Sequence, residues 1–242
     1  MSLQARRKKC NRLGERYYPV ESRREFRLRA AIGGRLVPSS VYVDAGAGAY
    51  MGLARLFSSQ AALSVGLDVE PMHSYVMVKG SRGVQGDLAA LPLRSGSIDL
   101  ISLRSVLEHL EDPVAVFQGM NRVLRPGGWV VAMAPSKWYY ASLLGRLVPD
   151  AFSGRLLEFI FGQTVYDNFP TYYRANTPRA LARIARLSGF ELVEDVVCPH
   201  PPDYLKFSPV LFRLGVLFDR IAGLLPWTRI LQASHLYVLR KI

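Results

Sequence analysis

The chain has 242 residues, half of them apolar, and a formal net charge of +12. This length is enough for one α/β domain with insertions and a sizeable core. Cys10 and Cys198 give no disulfide framework or zinc-ligand spacing, and the histidines are scattered, so we expect no metal site. No apolar run approaches the roughly eighteen residues of a membrane-spanning helix, and no apolar segment follows the basic N-terminus as a secretory signal requires. The expected location is the cytoplasm.

The first predicted element is a basic N-terminal arm that spans residues 1–37. Residues 1–40 contain eleven Lys or Arg and three Glu, beginning with Arg6-Arg7-Lys8-Lys9. Such an arm can contact nucleic acid, anionic lipid or a phosphorylated substrate, or it can remain a solvated tail. Its aromatic residues are the Tyr17-Tyr18 pair and Phe26. It therefore lacks the interleaved aromatics that are typical of a stacking surface for single-stranded RNA.

Residues 38–242 are predicted to form an α/β domain, because apolar runs of strand length alternate with segments of helix length. Pro126-Gly127-Gly128 is expected to end one helix, and Thr177-Pro178 to begin another that stops at Gly189. The stretch 70–82 is short for a crossover helix and is expected to be largely loop. The expected strands are 41–44, 62–67, 83–86, 98–103, 128–134, 192–197 and 235–239, and the other expected helices are 51–59 and 113–124.

A glycine-rich turn follows the first strand. Residues 41–48 read Val-Tyr-Val-Asp-Ala-Gly-Ala-Gly, and Asp68 closes the next apolar run twenty residues beyond Gly48. Because glycine lacks a Cβ, a ligand can approach the backbone of this turn closely. A carboxylate at this distance along the chain can accept hydrogen bonds from two ribose hydroxyls. The pattern indicates a nucleotide-type site and leaves the nucleotide open.

Further motifs follow in a fixed order. They read Gly86-Asp87-Leu88, Gly96-Ser97-Ile98-Asp99, Leu107-Glu108-His109-Leu110 and Arg125-Pro126-Gly127-Gly128. In this order and spacing, residues 38–135 closely resemble the class I S-adenosylmethionine-dependent methyltransferases, in the branch that includes the quinone-biosynthesis C-methyltransferases. The resemblance implies a doubly wound, Rossmann-like sheet of seven strands, mostly parallel with an antiparallel last strand, plus helical insertions.

The resemblance also implies the cofactor, S-adenosylmethionine, and the residues that hold it. The glycine-rich turn would bind the methionine carboxylate, Asp68 the ribose, and Asp87 the adenine amino group. The expected cofactor contacts are Asp44, Ala45, Gly46, Gly48, Asp68, Val69, Asp87, Leu88, Arg104 and Ser105. The chain departs from the family at Tyr50, where a third glycine is usual. A tyrosine there would crowd the helix–strand contact or cover the cofactor.

Candidate catalytic residues follow from the chemistry of methyl transfer. Transfer from a sulfonium is an in-line displacement, so the protein aligns the acceptor and, for a hydroxyl acceptor, removes a proton. His109 is the candidate base, with a role in shaping the cofactor site as the alternative. Tyr172 and Arg174 are candidate acceptor contacts, because with Tyr173 and Asn176 they return to the sheet edge at the mouth of the site. Neither an Asn-Pro-Pro-Tyr type signature nor a cysteine nucleophile points to methylation of nucleic-acid bases.

Two insertions interrupt the minimal fold. Insertion 136–176 is the expected acceptor lid, whose dense aromatics either stack on sugar or quinone rings or form a core of their own. Its end, residues 168–178, resembles methyltransferases encoded among bacterial cell-envelope and polysaccharide genes. Insertion 198–234 carries an apolar stripe from Phe207 to Trp227 at spacings of three and four. This stripe predicts an amphipathic helix that either packs on its own domain or lies on a membrane.

Together these patterns favour a methyltransferase for a small-molecule, glycan or lipid-linked acceptor, with oxygen favoured as the acceptor atom. Two alternatives stay open. One is an RNA methyltransferase that grips nucleic acid with the basic arm, and the other is a non-catalytic partner protein whose site Tyr50 blocks. The arm and the stripe together predict weak, reversible attachment to an anionic surface at the inner face of the cytoplasmic membrane.

Overall fold

A computed structural model describes residues 2–73, 77–145 and 169–242. Within these ranges, seven strands form one sheet of order β3-β2-β1-β4-β5-β7-β6. The pairs β1–β2, β2–β3, β1–β4 and β4–β5 are parallel, and the last strands form the antiparallel end. The predicted fold class is therefore confirmed. The strands are β1 Val41–Ala45, β2 Leu63–Asp68, β3 Ser81–Gln85, β4 Ile98–Arg104, β5 Leu124–Pro135, β6 Phe190–Cys198 and β7 Ser234–Lys241.

The helices begin where side chains cap their first turns. Asp112 accepts a hydrogen bond from the Ala115 amide (3.0 Å), and Thr177 accepts one from the Ala180 amide (3.2 Å). Each cap precedes a proline, which suits the first helical position. The predicted helix start at Thr177 is confirmed. The helices are α1 Leu3–Tyr17, α2 Arg24–Gly33, α3 Gly52–Leu56, α4 Pro113–Val123, α5 Tyr140–Gly145, α6 Pro178–Leu187 and α7 Pro209–Leu224.

The expected role of Pro126-Gly127-Gly128 as a helix end is wrong. Helix α4 already ends at Val123, because Leu124 has an extended backbone (ψ 144°). The Pro-Gly-Gly segment lies inside β5, where Gly127 has φ 74° and the pairing with β4 shifts register. Helix α3 is also shorter than the predicted 51–59, since it ends at Leu56. Residues 70–73 and 77–80 lie outside helices and strands, as expected for a loop.

One continuous core lies against the sheet. Val43, Ile101 and Val130 come from adjacent strands, and all three are buried. Phe117 of α4 meets Phe190 of β6 edge to face, with ring centroids 6.0 Å apart. Burial of apolar side chains of this size is the main contribution to the stability of the domain.

Contacts divide the chain into two compact units. The sheet unit comprises residues 28–134, 171–196 and 236–242, and the helical unit comprises 1–27, 135–170 and 197–235. This division differs from the predicted boundary after residue 37, because α1 belongs with α7. In the described part of the chain, no helix combines the length and the hydropathy that crossing a membrane requires.

The contact between α1 and α7 explains why α1 is ordered as a helix. Cys10 and Tyr18 pack with Phe212 and Val216 in a separate apolar cluster. The Tyr18 hydroxyl donates a hydrogen bond to Asp219 Oδ2 (2.7 Å) beside this cluster. Burial raises the pKa of Asp219 to about 6, although the Tyr18 hydrogen bond lowers it in part. The basic residues of α1 thus belong to a helix with one packed side.

Candidate cofactor and acceptor site

The turn after β1 has the backbone conformation that its glycines allow. Gly46 and Gly48 have φ values of 76° and 64°, which L residues rarely adopt. A Cβ on Gly46 would lie 2.3 Å from Val106 Cγ2, so only glycine fits there. A Cβ on Gly48 would meet nothing within 4 Å, so the space in front of Gly48 is open. The amides of Gly46 and Ala47 donate to the Leu67 carbonyl (2.8 and 3.1 Å), which fixes the turn beside β2.

Asp68 ends β2 with its carboxylate held at this turn. Its Oδ2 accepts a hydrogen bond from the Gly48 amide (2.7 Å), and its Oδ1 accepts one from the Glu70 amide (2.9 Å). The side chain is partly exposed. The predicted ribose-binding carboxylate and the open space at Gly48 are therefore neighbours.

Asp87 follows β3, the strand next to β2. It is exposed, and its Oδ1 accepts a hydrogen bond from the Ala89 amide (2.9 Å), which caps the short turn Leu88–Ala90. Val69 is 50 % exposed, and its carbonyl accepts a hydrogen bond from Gln85 Nε2 (2.9 Å). Because β2 and β3 are parallel neighbours, these residues share the carboxyl edge of the sheet with Asp68.

Asp44 differs from the other two acids because its side chain is buried. It is buried, and Ser102 Oγ donates a hydrogen bond to its Oδ1 (3.0 Å), while the Tyr42 hydroxyl lies 2.6 Å from the same Oγ. Burial raises the pKa of Asp44 to about 6, and the Ser102 hydrogen bond and the Arg104 charge lower it in part. In this structure Asp44 joins β1 to β4 and so positions the turn.

The end of β4 contains a strained residue. Ser105 has φ 55°, and its amide donates to the Met133 carbonyl of β5 (2.9 Å). A non-glycine residue in this region is costly and is found preferentially at functional sites. Arg104, beside it, is exposed. The strain lies next to Val106, the residue that contacts Gly46.

Tyr50 leaves the turn open. Its ring is 62 % exposed and meets the His73 ring edge to face, with centroids 5.2 Å apart. The His73 amide donates to the Ala49 carbonyl (3.1 Å), which keeps the imidazole beside this turn. Since the space at Gly48 is open, the tyrosine does not fill it.

A close helix–strand approach that we did not predict lies beneath this turn. Met51 precedes α3 with φ 49° and is fully buried. A Cβ on Gly66 of β2 would lie 2.8 Å from Met51 Cγ, and Gly66 pairs in register with Gly83 of β3. The missing side chains at these strand positions make room for the methionine. A glycine inside an apolar strand is the sequence signal for such an approach.

The candidate acceptor residues return to the end of β4. The Tyr172 and Tyr173 amides both donate to the Glu108 carbonyl (2.7 and 3.1 Å). Tyr173 has φ 52°, so this return is a sharp bend. The Arg174 guanidinium donates to the Glu111 carbonyl and lies 5.3 Å from the centroid of the Tyr172 ring.

His109 belongs to the same short stretch. Its amide donates to the Val106 carbonyl (2.9 Å) in the 3₁₀ turn Leu107–His109, which follows β4. The structure therefore brings His109, Tyr172 and Arg174 to one edge of the sheet. Residues 146–168 of the predicted lid lie outside the described residues.

The geometry fits the cofactor that the motifs imply. The turn offers open space at Gly48, where a Cβ would otherwise intrude, and Asp68 offers a partly exposed carboxylate beside it. Asp87 adds an exposed carboxylate on the next strand. A sulfonium nucleoside needs acceptors for the hydrogen-bond donors of its ribose and adenine, and the carboxylates of Asp68 and Asp87 are acceptors of that kind.

Comparison with known proteins gives a consistent result. Residues 43–132 match the family model of a methyltransferase domain. A ubiquinone biosynthesis O-methyltransferase of Cupriavidus pinatubonensis is 30 % identical over 102 residues, 41 % of this chain and 36 % of that protein. A demethylmenaquinone methyltransferase of Lactococcus lactis is 28 % identical over 121 residues, 46 % of each chain.

Solved structures extend the likeness to the whole fold. An S-adenosylmethionine-dependent methyltransferase from Mesorhizobium loti has a TM-score of 0.61 at 16 % identity, covering 90 % of this chain and 97 % of that one. The two curated relatives are matched over only 36 % and 46 % of their length.

Proposed function

We propose that this chain, which belongs to the class I S-adenosylmethionine-dependent methyltransferases, methylates a hydroxyl oxygen of a small-molecule, glycan or lipid-linked acceptor. S-adenosylmethionine is its cofactor. The observation that carries the proposal is the contact between Asp68 and the Gly48 amide (2.7 Å) beside open space. The contact supports the proposal because the carboxylate proposed to accept from the ribose lies directly beside the glycine turn.

The residues of the chain have distinct roles in this proposal. The turn at Gly46 and Gly48 receives the amino-acid part of the cofactor, Asp68 the ribose and Asp87 the adenine. Ser102 holds Asp44, which positions the turn. When bound, the cofactor supplies an electrophilic methyl group on a sulfonium. The protein's own contribution is alignment, because effective molarity accounts for much of the acceleration of such displacements.

A hydroxyl acceptor fits the group at the end of β4. His109 is a proton acceptor of suitable type, because a neutral imidazole nitrogen can take the proton of a hydroxyl group. Arg174, stacked on Tyr172, offers a positive charge for an acceptor that carries an anionic or polar group. The Cupriavidus relative is an O-methyltransferase by name, which supports oxygen as the acceptor atom.

The non-catalytic alternative has less support. It requires Tyr50 to block the site, whereas the ring lies against His73 and is 62 % exposed. The RNA alternative rests on the basic residues of α1, which belong to the helical unit and not to the sheet unit that carries the cofactor motifs.

Calorimetric titration with S-adenosylmethionine tests the site. Asp68→Ala removes the ribose acceptor, and a charge-assisted hydrogen bond contributes about 1.5–3 kcal/mol, so affinity should fall at least about tenfold. Glu191→Ala, which removes an exposed carboxylate from β6 at the opposite sheet edge, is the matched control and should bind like the wild type. Equal affinity of the folded Asp68→Ala variant and the control would contradict the assignment. Binding by Tyr50→Gly but not by the wild type would favour the non-catalytic alternative.

Incubation with methyl-labelled cofactor and a fractionated cell extract tests the acceptor. We expect label in the lipid, glycan or small-molecule fraction, in an alkali-stable ether linkage. Label in RNA would instead support the nucleic-acid alternative. The His109→Gln variant should keep cofactor affinity and lose turnover, whereas loss of both would assign His109 to the cofactor site.

A further inference from the structure

The apolar stripe on α7 points outward. The opposite side of the helix is buried and consists of Phe212, Gly215, Val216, Asp219 and Ala222. Leu214, Leu217 and Ile221 are 54, 52 and 56 % exposed, and Leu224 and Trp227 are 75 and 72 % exposed. A contiguous exposed apolar patch of this kind is unusual for a protein surface that contacts only water.

Arginines border this patch on the same helix. Arg213 and Arg220 flank a groove of about 190 Å³ that Tyr17, Val216 and Leu217 also line. The Arg220 guanidinium is held in place, because its carbon lies 5.0 Å from the centroid of the Tyr17 ring. The groove therefore presents two cations above an apolar floor, directly beside the exposed stripe.

The charges around the groove have one dominant sign. Residues 3–17 of α1 carry six Lys or Arg and one acidic residue, Glu15. The acid of α7, Asp219, is buried and accepts a hydrogen bond from Tyr18, so it does not neutralise the groove at the surface. A ligand for this face needs negative charge at the arginines and an apolar part at the stripe.

We propose that one exposed face docks on an anionic lipid bilayer. This face consists of Leu214, Leu217, Ile221 and Leu224 of α7 with Arg213 and Arg220, and of Trp227 in the following 3₁₀ turn Pro226–Leu231. Lipid phosphates pair with the arginines, and the apolar side chains enter the boundary between headgroups and acyl chains. A second copy of the chain is a poor occupant, because each copy carries a net charge of +12 and like charges repel. The docking surface is independent of the proposed methyl transfer, since it lies wholly in the helical unit.

Co-sedimentation with vesicles tests the surface. The full chain should bind vesicles of phosphatidylglycerol and phosphatidylcholine at low salt, bind neutral phosphatidylcholine much less, and dissociate as salt rises. Each arginine at an anionic surface contributes roughly fivefold to binding. Arg213→Gln with Arg220→Gln should therefore weaken binding at least about tenfold. Leu214→Glu with Ile221→Glu should remove it.

Helix α6 offers a matched control, because Arg179 and Arg186 have the same seven-residue spacing and are exposed in the sheet unit. Arg179→Gln with Arg186→Gln should change binding about twofold or less, through long-range charge alone. An equal loss of vesicle binding for the two arginine pairs would overturn the proposal, because the net charge of the chain alone would then explain the binding. No binding by the wild type at low salt would also overturn it.

Two further readouts separate lipid from protein as the occupant. Brominated lipids should quench the fluorescence of the wild type, and Trp227→Phe should remove most of that quenching while it keeps its binding. If the wild type is instead a dimer without vesicles and Leu214→Glu with Ile221→Glu makes it a monomer, the face belongs to self-association. Circular dichroism of each variant checks that α7 remains folded.

Discussion

Two buried aspartates, Asp44 in the sheet unit and Asp219 in the helical unit, show the same electrostatic effect. Burial raises the pKa of each to about 6, and a neighbouring hydroxyl, Ser102 or Tyr18, lowers it in part by donating a hydrogen bond. Each carboxylate is therefore costly to ionise in the folded chain, and that cost appears as a pH dependence of stability.

The sign of this dependence follows from the direction of the shift. The pKa of Asp219 is about 6 in the folded chain against an ordinary value of 3.8, so the folded state binds more protons in this window. The stability that Asp219 contributes is full below the ordinary value and is lost as the pH rises through 6. Asp219→Asn cannot ionise, so its free energy of unfolding should fall less over this window and exceed that of the wild type near neutral pH, by up to about 3 kcal/mol. Urea unfolding of both proteins at several pH values across this range measures the difference in their free energies of unfolding.

The Tyr18→Phe variant should change the pH dependence of stability in the opposite direction. It removes the hydroxyl that lowers the pKa of Asp219, so the pH-dependent loss should extend to higher pH than in the wild type. Part of the slope persists in every variant because Asp44 titrates in the same range. If Asp219→Asn has the same slope as the wild type, the carboxylate is not buried as described.

The sequence predicted which residues share the glycine turn and the carboxyl edge of the sheet better than it predicted the contacts of these residues. Asp68 was predictable because it ends an apolar run at a fixed distance from a glycine turn, and both features are local. The contacts of Asp44 were not, because its partner Ser102, which also bonds to the Tyr42 hydroxyl, meets it only through the β1–β4 pairing. The open space at Gly48 and the position of the Tyr50 ring likewise depend on tertiary contacts.

Among the elements, β2 and the turn before α3 depend on each other most closely. Met51 is fully buried, and Gly66 leaves it room. Gly66→Ala should lower the free energy of unfolding by about 1–3 kcal/mol through overpacking. Gly52→Ala is the control, because nothing lies within 4 Å of its Cβ position, and it should be neutral or stabilise by about 0.4–1 kcal/mol.

A double-mutant cycle locates the cause. Met51→Ala alone leaves a cavity, but with Gly66→Ala the new methyl group occupies part of it, so the coupling free energy should be about 0.5–3 kcal/mol. Additive effects in urea unfolding would show that Gly66 is needed for another reason, such as its pairing with Gly83.

The predicted elements differ from the observed ones where tertiary packing overrides the local sequence pattern. The strands β1, β2 and β4 were predicted within one residue at each end, because short apolar runs between turns are unambiguous. Helix α1 was predicted as an arm, since its buried residues are only Cys10 and Gly14 among many charges. The stripe on α7 has the spacing of a buried face, yet the side of α7 that is buried contains Gly215 and Asp219. The spacing of apolar residues predicts such a helix, but it does not show which side packs against the rest of the protein.

At the scale of the whole molecule, the net charge of +12 opposes compactness through self-repulsion. Raising the salt concentration screens this repulsion and should raise the free energy of unfolding. Replacing Arg6, Arg7, Lys8 and Lys9 by Gln should stabilise the chain at low salt by about 1 kcal/mol, because it reduces the self-repulsion and removes Arg6, a cation in the first turn of α1 that opposes the helix dipole. Urea unfolding at several salt concentrations should show a flatter dependence for this variant. A steeper dependence would mean that these side chains form stabilising ion pairs.

The hydrogen bond from Tyr18 to Asp219 joins residues 201 positions apart. At roughly 5–20 residues per second, a ribosome takes about 10–40 s to polymerise the intervening chain. During that interval α1 has left the exit tunnel and its partner helix does not yet exist. Cys10 and Tyr18 are then uncovered on a segment that is otherwise strongly basic, beside ribosomal RNA. The helical unit can therefore close only after α7 has been translated, and a chaperone that shields short apolar clusters would act on α1 first.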